Sequence, residues 1–312
     1  MIEFTSTRAN PLVDPSLHVW GWEIPVYLFL GGLVAGLMAI AGWFLLMDRD
    51  RRAGSAMSWL PGLGLALLSA GMLALFLDLE HKPYVWRLYT SFQIASPMSW
   101  GAWILLAVYP ALLGALLLCL PGSLRQAFPA LAALSDRLRA RVQAVRAIAW
   151  ANLVLGGLLG IYTGVLLSAL GARPLWNSAV LGPLFLASGL SSAAALVHLV
   201  ARDPADGELL ARADNGFLQA EIVLLALFLI GLLTATRVHV RAAGLVLGGP
   251  FTAAFWVGVV GAGIALPLLL QSLAVGHRIR HTPVAPLLVL GGGLLLRVVI
   301  VAAGQVSRWG PV

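Results

Sequence analysis

Long apolar runs separated by short polar segments form the main pattern along the chain. Eight runs reach roughly the 20 residues that a helix needs to cross the hydrocarbon core of a bilayer. They lie at about 23–47, 58–79, 99–120, 145–170, 178–201, 217–236, 252–275 and 284–305. The longest connection, about 121–144, has the arginine content of an amphipathic surface helix. The pattern predicts an all-α polytopic membrane protein, with eight transmembrane helices in contact with lipid and a single integral membrane domain over 1–312.

Composition supports this class and excludes several others. Of the 312 residues, 60% are hydrophobic and 11% are charged, whereas a soluble protein has about 25% charged residues. The single cysteine, Cys119, excludes a disulfide scaffold and an iron–sulfur cluster bound by this protein alone. Only His198 lies well inside a span, so no bis-histidine haem is expected. The net charge of +7 does not indicate nucleic-acid binding, because most basic residues flank the apolar runs.

The basic residues also predict the orientation in the membrane. Beside the spans, Lys and Arg number 7 on the side of the N-terminus and 12 on the opposite side, and Arg297 inside the last span completes the 20. Short loops rich in Lys and Arg stay in the cytoplasm. Both termini are therefore predicted on the outer, periplasmic side.

Ionisable residues within or at the edge of apolar spans are functional candidates, because a charge in the bilayer costs a few kcal/mol. Glu23 and Tyr27 lie four residues apart on one face of the first span, near its outer end. Asp78 closes the second span at the same level, and Glu80 and His81 follow directly. Proton transfer requires titratable groups of this kind close to the reacting atoms. Glu23 and Asp78 are the candidate catalytic residues.

Further polar residues lie at the outer ends of the fourth and fifth spans. Tyr162 interrupts the fourth span, and Arg173 and Asn177 follow in the next outer loop. The alternation of spans places them at the depth of the carboxyl groups just described. Several polar groups converging in an apolar bundle are typical of a ligand pocket. Tyr27, Tyr162, Arg173 and Asn177 are the candidate ligand-binding residues.

Two more ionisable residues lie deeper in the predicted bundle. Glu221 is in the inner part of the sixth span, and Arg297 is in the middle to outer half of the eighth. They are candidates for a proton path through the bundle, with a structural ion pair as the alternative. No spacing typical of metal ligands occurs, so no metal site is predicted.

Four groups of short motifs, taken in order, resemble a known family. They are Trp-Gly-Trp at 20–22 with the glycine-rich run 31–36, Ser-Pro-Met-Ser-Trp-Gly-Ala-Trp at 96–103, Tyr-Thr-Gly at 162–164 with Arg-Pro-Leu-Trp-Asn at 173–177, and Arg297 with Gly304 and Gln305. Over nearly its whole length, the sequence resembles the NrfD/polysulfide reductase family of integral membrane subunits.

This resemblance implies a haem-free, quinone-reactive subunit of a respiratory oxidoreductase in the cytoplasmic (inner) membrane of a bacterium or archaeon. The implied quinone is menaquinone or ubiquinone. The implied partners are a four-cluster iron–sulfur subunit on the outer face and, behind it, a molybdopterin-type catalytic subunit or a multihaem cytochrome. Tyr162 matches a quinone-contacting tyrosine of the family. Tyr27 stands where a family member has a quinone-contacting histidine, and its hydroxyl can still donate a hydrogen bond to a quinone carbonyl.

Electron exchange with such a partner would take place at the outer face, where the loop 79–97 is the expected docking surface. Two other interpretations stay open from the sequence. Eight glycine-rich spans with internal carboxylates are compatible with a secondary transporter or channel. A structural anchor with a degenerate quinone site is compatible with the tyrosine at position 27.

Overall fold

The structure is a computed structural model that describes residues 20–51, 55–171, 173–201, 203–276 and 282–309. Within these ranges the regular structure is helical, without a β-strand. Eight helices are long and apolar enough to cross a bilayer, which confirms the predicted all-α class and the number of spans. Helices suit a lipid environment because they satisfy their backbone N–H and C=O groups internally.

The helices have the following bounds in sequence order. They are α1 (Glu23–Leu46), α2 (Leu60–Asp78), α3 (Arg87–Thr90), α4 (Pro97–Leu118), α5 (Gly122–Ala127), α6 (Pro129–Arg139), α7 (Val142–Ser168), α8 (Leu181–Val200), α9 (Pro204–Thr234), α10 (Arg237–Leu247), α11 (Ala254–Val275) and α12 (Val284–Val306). The connecting helices are α3, α5, α6 and α10, and the other eight are the spans.

The sixth span begins earlier than its apolar run predicts. The apolar run predicted from about 217 lies inside α9, which begins at Pro204, thirteen residues earlier. The Asp203 carboxylate accepts a hydrogen bond from the Ala205 N–H at 3.0 Å, and such a cap with proline in the first turn is typical of a helix start. The first three turns are polar but carry the buried Asp206 and Asp214. Burial of these carboxylates depends on tertiary partners, which a hydropathy pattern does not show.

The connecting segments contain more helix than the sequence pattern indicates. The predicted surface helix within 121–144 is present as α5 and α6. The connection after the sixth span contains the additional helix α10. The first half of α11, Ala254–Ala265, is π-helical, a rare conformation in which Gly263 packs closely on Gly292 of α12.

Helix α1 is the central helix of the bundle, with 78% of its most apolar window buried. It packs most extensively on α7 and also contacts α2, α8 and α12. Small residues permit this approach: a Cβ on Gly156 of α7 would lie 2.7 Å from the Ala35 carbonyl oxygen. Close approach through small residues is a general way of packing helices in lipid. As a result, α1 adjoins both the internal cavity and the buried polar cluster around Arg297.

We call the end of the bundle where α1 begins the Trp20 end, and the opposite end the Arg49 end. At the Trp20 end, the Gln305 side chain accepts a hydrogen bond from the Trp20 N–H and donates one to the Trp20 carbonyl, both at 3.0 Å. At the Arg49 end, Arg49 forms an ion pair with the buried Asp206 of α9. Side-chain contacts at the two ends thus tie distant parts of the sequence together.

Candidate functional site

A cavity of about 430 Å³ lies among α1, α2, α3, α4 and α7 near the Trp20 end. Its walls are mostly apolar. The polar side chains on its lining are the phenols of Tyr27, Tyr89 and Tyr162, the Asp78 carboxylate and the Trp20 indole. Small-molecule sites typically have volumes of about 300–1,000 Å³, apolar walls and a few polar groups. The cavity has the size and chemistry of a ligand site.

Two buried phenols come from facing helices. Tyr27 of α1 and Tyr162 of α7 are 4% and 6% exposed and lie close enough to interact electrostatically. Gly101 of α4 makes room for one of them, because a Cβ at this position would overlap the Tyr162 ring and hydroxyl. Within the described ranges, neither hydroxyl forms a hydrogen bond. Both are therefore available to a ligand in the cavity.

The two predicted carboxylates lie next to each other at one edge of this cavity. Asp78 is the last residue of α2, is half-buried and lines the cavity. Glu23 is the first residue of α1 and lies outside the lining, but it interacts electrostatically with Asp78. Asp78 is therefore directly accessible to a ligand in the cavity.

The predicted ligand-binding residues of the next loop, Arg173 and Asn177, lie away from the cavity. The buried Arg173 donates a hydrogen bond from Nη1 to the Ser307 carbonyl at 2.9 Å, and Asn177 is exposed. Neither is part of the cavity lining. Between them, Trp176 stacks on Trp20 with ring centroids 5.2 Å apart. In the structure, this loop holds the end of α12 and the entry to α1 together.

Tyr89 lines the cavity and was not predicted as a site residue. It lies on α3 in the connection that the sequence pattern assigns only to docking, where no helical or strand periodicity indicates an inward side chain. Burial raises the pKa of the Tyr89 phenol above its ordinary value, and the nearby Tyr109 adds to the shift. The phenol is therefore neutral near pH 7 and can donate a hydrogen bond.

A buried polar cluster lies deeper, among α8, α9 and α12. The fully buried Arg297 donates from Nη1 to Ser188 Oγ at 2.6 Å and to the Gly293 carbonyl at 2.8 Å, and from Nη2 to the Phe185 carbonyl at 3.0 Å. Glu221 is buried beside it and interacts with both Arg297 and Ser188. The structure thus brings the predicted pair together, away from the cavity lining.

Asp214 extends this cluster and was missed by the sequence analysis. Its Oδ1 accepts a hydrogen bond from Ser191 at 2.5 Å, and its Oδ2 accepts one from Gln271 Nε2 at 2.7 Å. Asp214 precedes Glu221 by seven residues, which is about two helical turns and places both on one face of α9. This spacing was a usable signal, but the late predicted start of the sixth span concealed it.

A grouping of three or more His, Cys, Asp or Glu side chains that could hold a metal ion does not occur in the described ranges.

Comparison with known proteins decides the family. The model of the family described as "Polysulphide reductase, NrfD" matches residues 10–307. The chain belongs to the NrfD/polysulphide reductase family. This NrfD-family protein is 35% identical to Protein NrfD of Escherichia coli K12 over 312 residues, covering 93% of its own length and 96% of the relative. It is 32% identical to the C subunit of polysulfide reductase from Wolinella succinogenes, covering 92% and 94%. A third relative, the NrfD homolog of Haemophilus influenzae, is 29% identical, covering 95% and 97%.

The predicted family is thereby confirmed, and several of the motifs that suggested it meet at the cavity. Trp20 comes from the first motif, Met98, Gly101 and Ala102 from the second, and Tyr162 from the third. In this NrfD-family protein, segments far apart in sequence converge on one internal site of a multi-pass membrane protein.

Proposed function

We propose that this protein is the haem-free, quinone-reactive membrane subunit of a respiratory oxidoreductase, and that the cavity at the Trp20 end is its quinone site. The observation that carries the proposal is an apolar cavity whose buried phenols, Tyr27 and Tyr162, have no hydrogen-bond partner in the described ranges. A quinone ring is flat and apolar and has two carbonyl oxygens. Its binding needs apolar walls with donors directed at the oxygens.

The lining residues have distinct roles in this site. A bound quinone, menaquinone or ubiquinone, supplies the two-electron, two-proton chemistry. Tyr27 and Tyr162 donate hydrogen bonds that hold the headgroup. Asp78 exchanges protons at the edge of the cavity with Glu23 beside it, because a base must stand within reach of the oxygen directly or through one water. The apolar walls exclude bulk water, which strengthens these polar contacts.

We propose that the Trp20 end faces the periplasm and that its loop 79–97 docks an iron–sulfur subunit. Three large apolar side chains project from this loop: Trp86 is 54% exposed, Phe92 is 56% exposed and Ile94 is 75% exposed. Exposed aromatic residues of this kind are enriched at protein interfaces. The name of the Wolinella relative makes it one subunit of a polysulfide reductase. By analogy, a molybdopterin-type subunit or a multihaem cytochrome would lie beyond the iron–sulfur subunit.

We further propose that the buried cluster carries protons between the membrane interior and the Arg49 end. Asp214, Glu221 and Arg297 supply titratable groups along one side of α9 and α12. Ser191 donates a hydrogen bond to Asp214, and Ser188 contacts both Arg297 and Glu221. Ionisable groups in a membrane interior are typical of proton relays.

Tyr162→Phe and Asp78→Asn test the quinone site in the intact complex. Loss of one hydrogen bond to the ligand is worth about 1 kcal/mol or more, so we expect quinone-linked turnover to fall at least roughly fivefold. Dye-linked activity of the catalytic partner should not change. Tyr109→Phe is the matched control, because Tyr109 is outside the cavity lining and its hydroxyl pairs with Ser69 at 3.3 Å.

Wild-type quinone turnover in both variants would refute the site and favour a structural anchor. Solute flux by the purified protein in liposomes, without quinone binding, would instead favour a transporter.

A further inference from the structure

The connection between α2 and α4 covers the cavity and directs one of its tyrosines inward. We infer that this residue, Tyr89, is a third quinone-contacting phenol and that the first turn of α4 holds it in place. The inference rests on the proposed quinone site and adds a residue that comes from a connecting segment instead of a spanning helix.

Tyr89 and its neighbour Tyr84 differ in position. Tyr89 lines the cavity, is half-buried and interacts electrostatically with Tyr27. Its hydroxyl has no hydrogen-bond partner in the described ranges. Tyr84 is exposed and packs on the Arg87 guanidinium, 4.5 Å from its ring, and on the edge of His81. The same connection thus presents one phenol to the cavity and another to the surface.

Three hydrogen bonds fix the segment that follows Tyr89. The buried Ser99 donates to the Ser91 carbonyl at 3.2 Å and accepts from the Gln93 N–H at 3.1 Å. Trp100 Nε1 donates to the Ile94 carbonyl at 2.7 Å. Ser99 and Trp100 lie in the first turn of α4, so this turn sets the distance of the connection from the cavity.

The next residue of that turn acts on the other side of the cavity. Gly101 leaves the space that the Tyr162 ring occupies. Consecutive residues of α4 therefore position two phenols. Ser99 and Trp100 position Tyr89 through their hydrogen bonds to the connection, and Gly101 positions Tyr162 because it has no side chain. With Tyr27, the cavity offers three phenol donors to the two carbonyl oxygens of a quinone, so one oxygen can accept two hydrogen bonds.

The test compares Tyr89→Phe with Tyr84→Phe in the intact complex, with a water-soluble quinone that has a short tail as the substrate. We expect Tyr89→Phe to raise the KM for the quinone or lower turnover by roughly three- to tenfold, the effect of one lost hydrogen bond. Tyr84→Phe should stay within about twofold of wild type. Dye-linked activity and the amount of assembled complex should be the same for both variants.

Variants of Ser99 test whether the first turn of α4 positions Tyr89. Ser99→Ala removes both of its hydrogen bonds and should reproduce the KM change of Tyr89→Phe, whereas Ser99→Thr keeps the hydroxyl and should restore the wild-type value. In the Tyr89→Phe background, Ser99→Ala should add little, because both changes act through the same hydroxyl.

Three outcomes would overturn the inference. If Tyr89→Phe matches wild type while Tyr162→Phe is impaired, Tyr89 does not contact the quinone, although the proposed site stands. If Tyr89→Phe and Tyr84→Phe are equally impaired with fewer assembled complexes, the connection serves only docking. If Tyr89→Phe and Tyr162→Phe both match wild type, the quinone site itself is refuted.

Discussion

At the scale of single residues, the cavity depends on side chains that present a polar group and on one position that has no side chain. Tyr27, Asp78 and Tyr162 could be predicted because each interrupts or ends an apolar run. The role of Gly101 could not, because a glycine in an apolar helix gives no sign of what occupies the space beside it. Tyr89 was missed for a related reason, since its inward direction depends on hydrogen bonds between the connection and α4.

Gly101→Ala should impair the site without removing a polar group. The added Cβ overlaps the Tyr162 ring, so the phenol must move, and overpacking of this kind costs about 1–3 kcal/mol. We expect quinone-linked turnover at or below the level of Tyr162→Phe, together with a lower thermal midpoint. Gly157→Ala on α7 is the control, because a Cβ there has no neighbour within 4 Å. Equal behaviour of the two variants would show that Gly101 does not position Tyr162.

At the scale of secondary-structure elements, α9 joins a polar first half to an apolar second half, and the hydropathy pattern assigns only the second half to the span. Its second half is an apolar span that the sequence pattern predicts well, whereas its first half is polar by composition yet buries two carboxylates. The partners that permit this, such as Gln271 for Asp214, come from other helices. Near the Arg49 end, Gln271 and His198 line a void of about 10 Å³, close to the space that one water needs. Gln271 therefore connects Asp214 of α9, by a hydrogen bond, to a void near this end of the bundle.

Asp214→Asn should separate proton coupling from quinone chemistry. Asparagine keeps the shape of the side chain but cannot release a proton near pH 7, so we expect a loss of the membrane-potential signal and quinone turnover within about threefold of wild type. Glu221→Gln should act in the same direction. Glu208→Gln is the control on the same helix, because the Glu208 side chain is 38% exposed and forms its ion pair in the described ranges with Arg212, one turn away on the same helix. A normal membrane-potential signal in Asp214→Asn and Glu221→Gln would leave the cluster with a structural role.

At the scale of the whole molecule, the sequence predicts the number and order of spans because apolar length alone decides which segments enter a bilayer. It does not predict the π-helical turns of α11 or the helix α10, which depend on local packing and on short amphipathic stretches. The positions of Arg173 and Asn177 show why the sequence predicts the residues of the site only in part. Equal depth in the membrane does not place residues on one cavity, because depth leaves the direction around the bundle open.

The single cysteine offers a test of the proposed orientation. Cys119 is buried, so its thiol is shielded from a reagent in the aqueous phase. The native protein should therefore not react with a membrane-impermeant maleimide. Asn177→Cys, at the Trp20 end, should react from the periplasmic side, and Gln126→Cys, at the Arg49 end, should react only in inverted vesicles. The opposite labelling pattern would reverse the assignment, and rapid labelling of Cys119 would contradict its burial.

The hydrogen bonds between Trp20 and Gln305 have a consequence for the order of synthesis. A protein is made from its N-terminus at about 5–20 residues per second, and these two residues are separated by 285 positions. The two hydrogen bonds that hold Trp20 at the cavity wall therefore form only after α12 has left the ribosome and entered the membrane. A nascent polypeptide that stalls before α12 therefore lacks these two hydrogen bonds at the wall of the cavity.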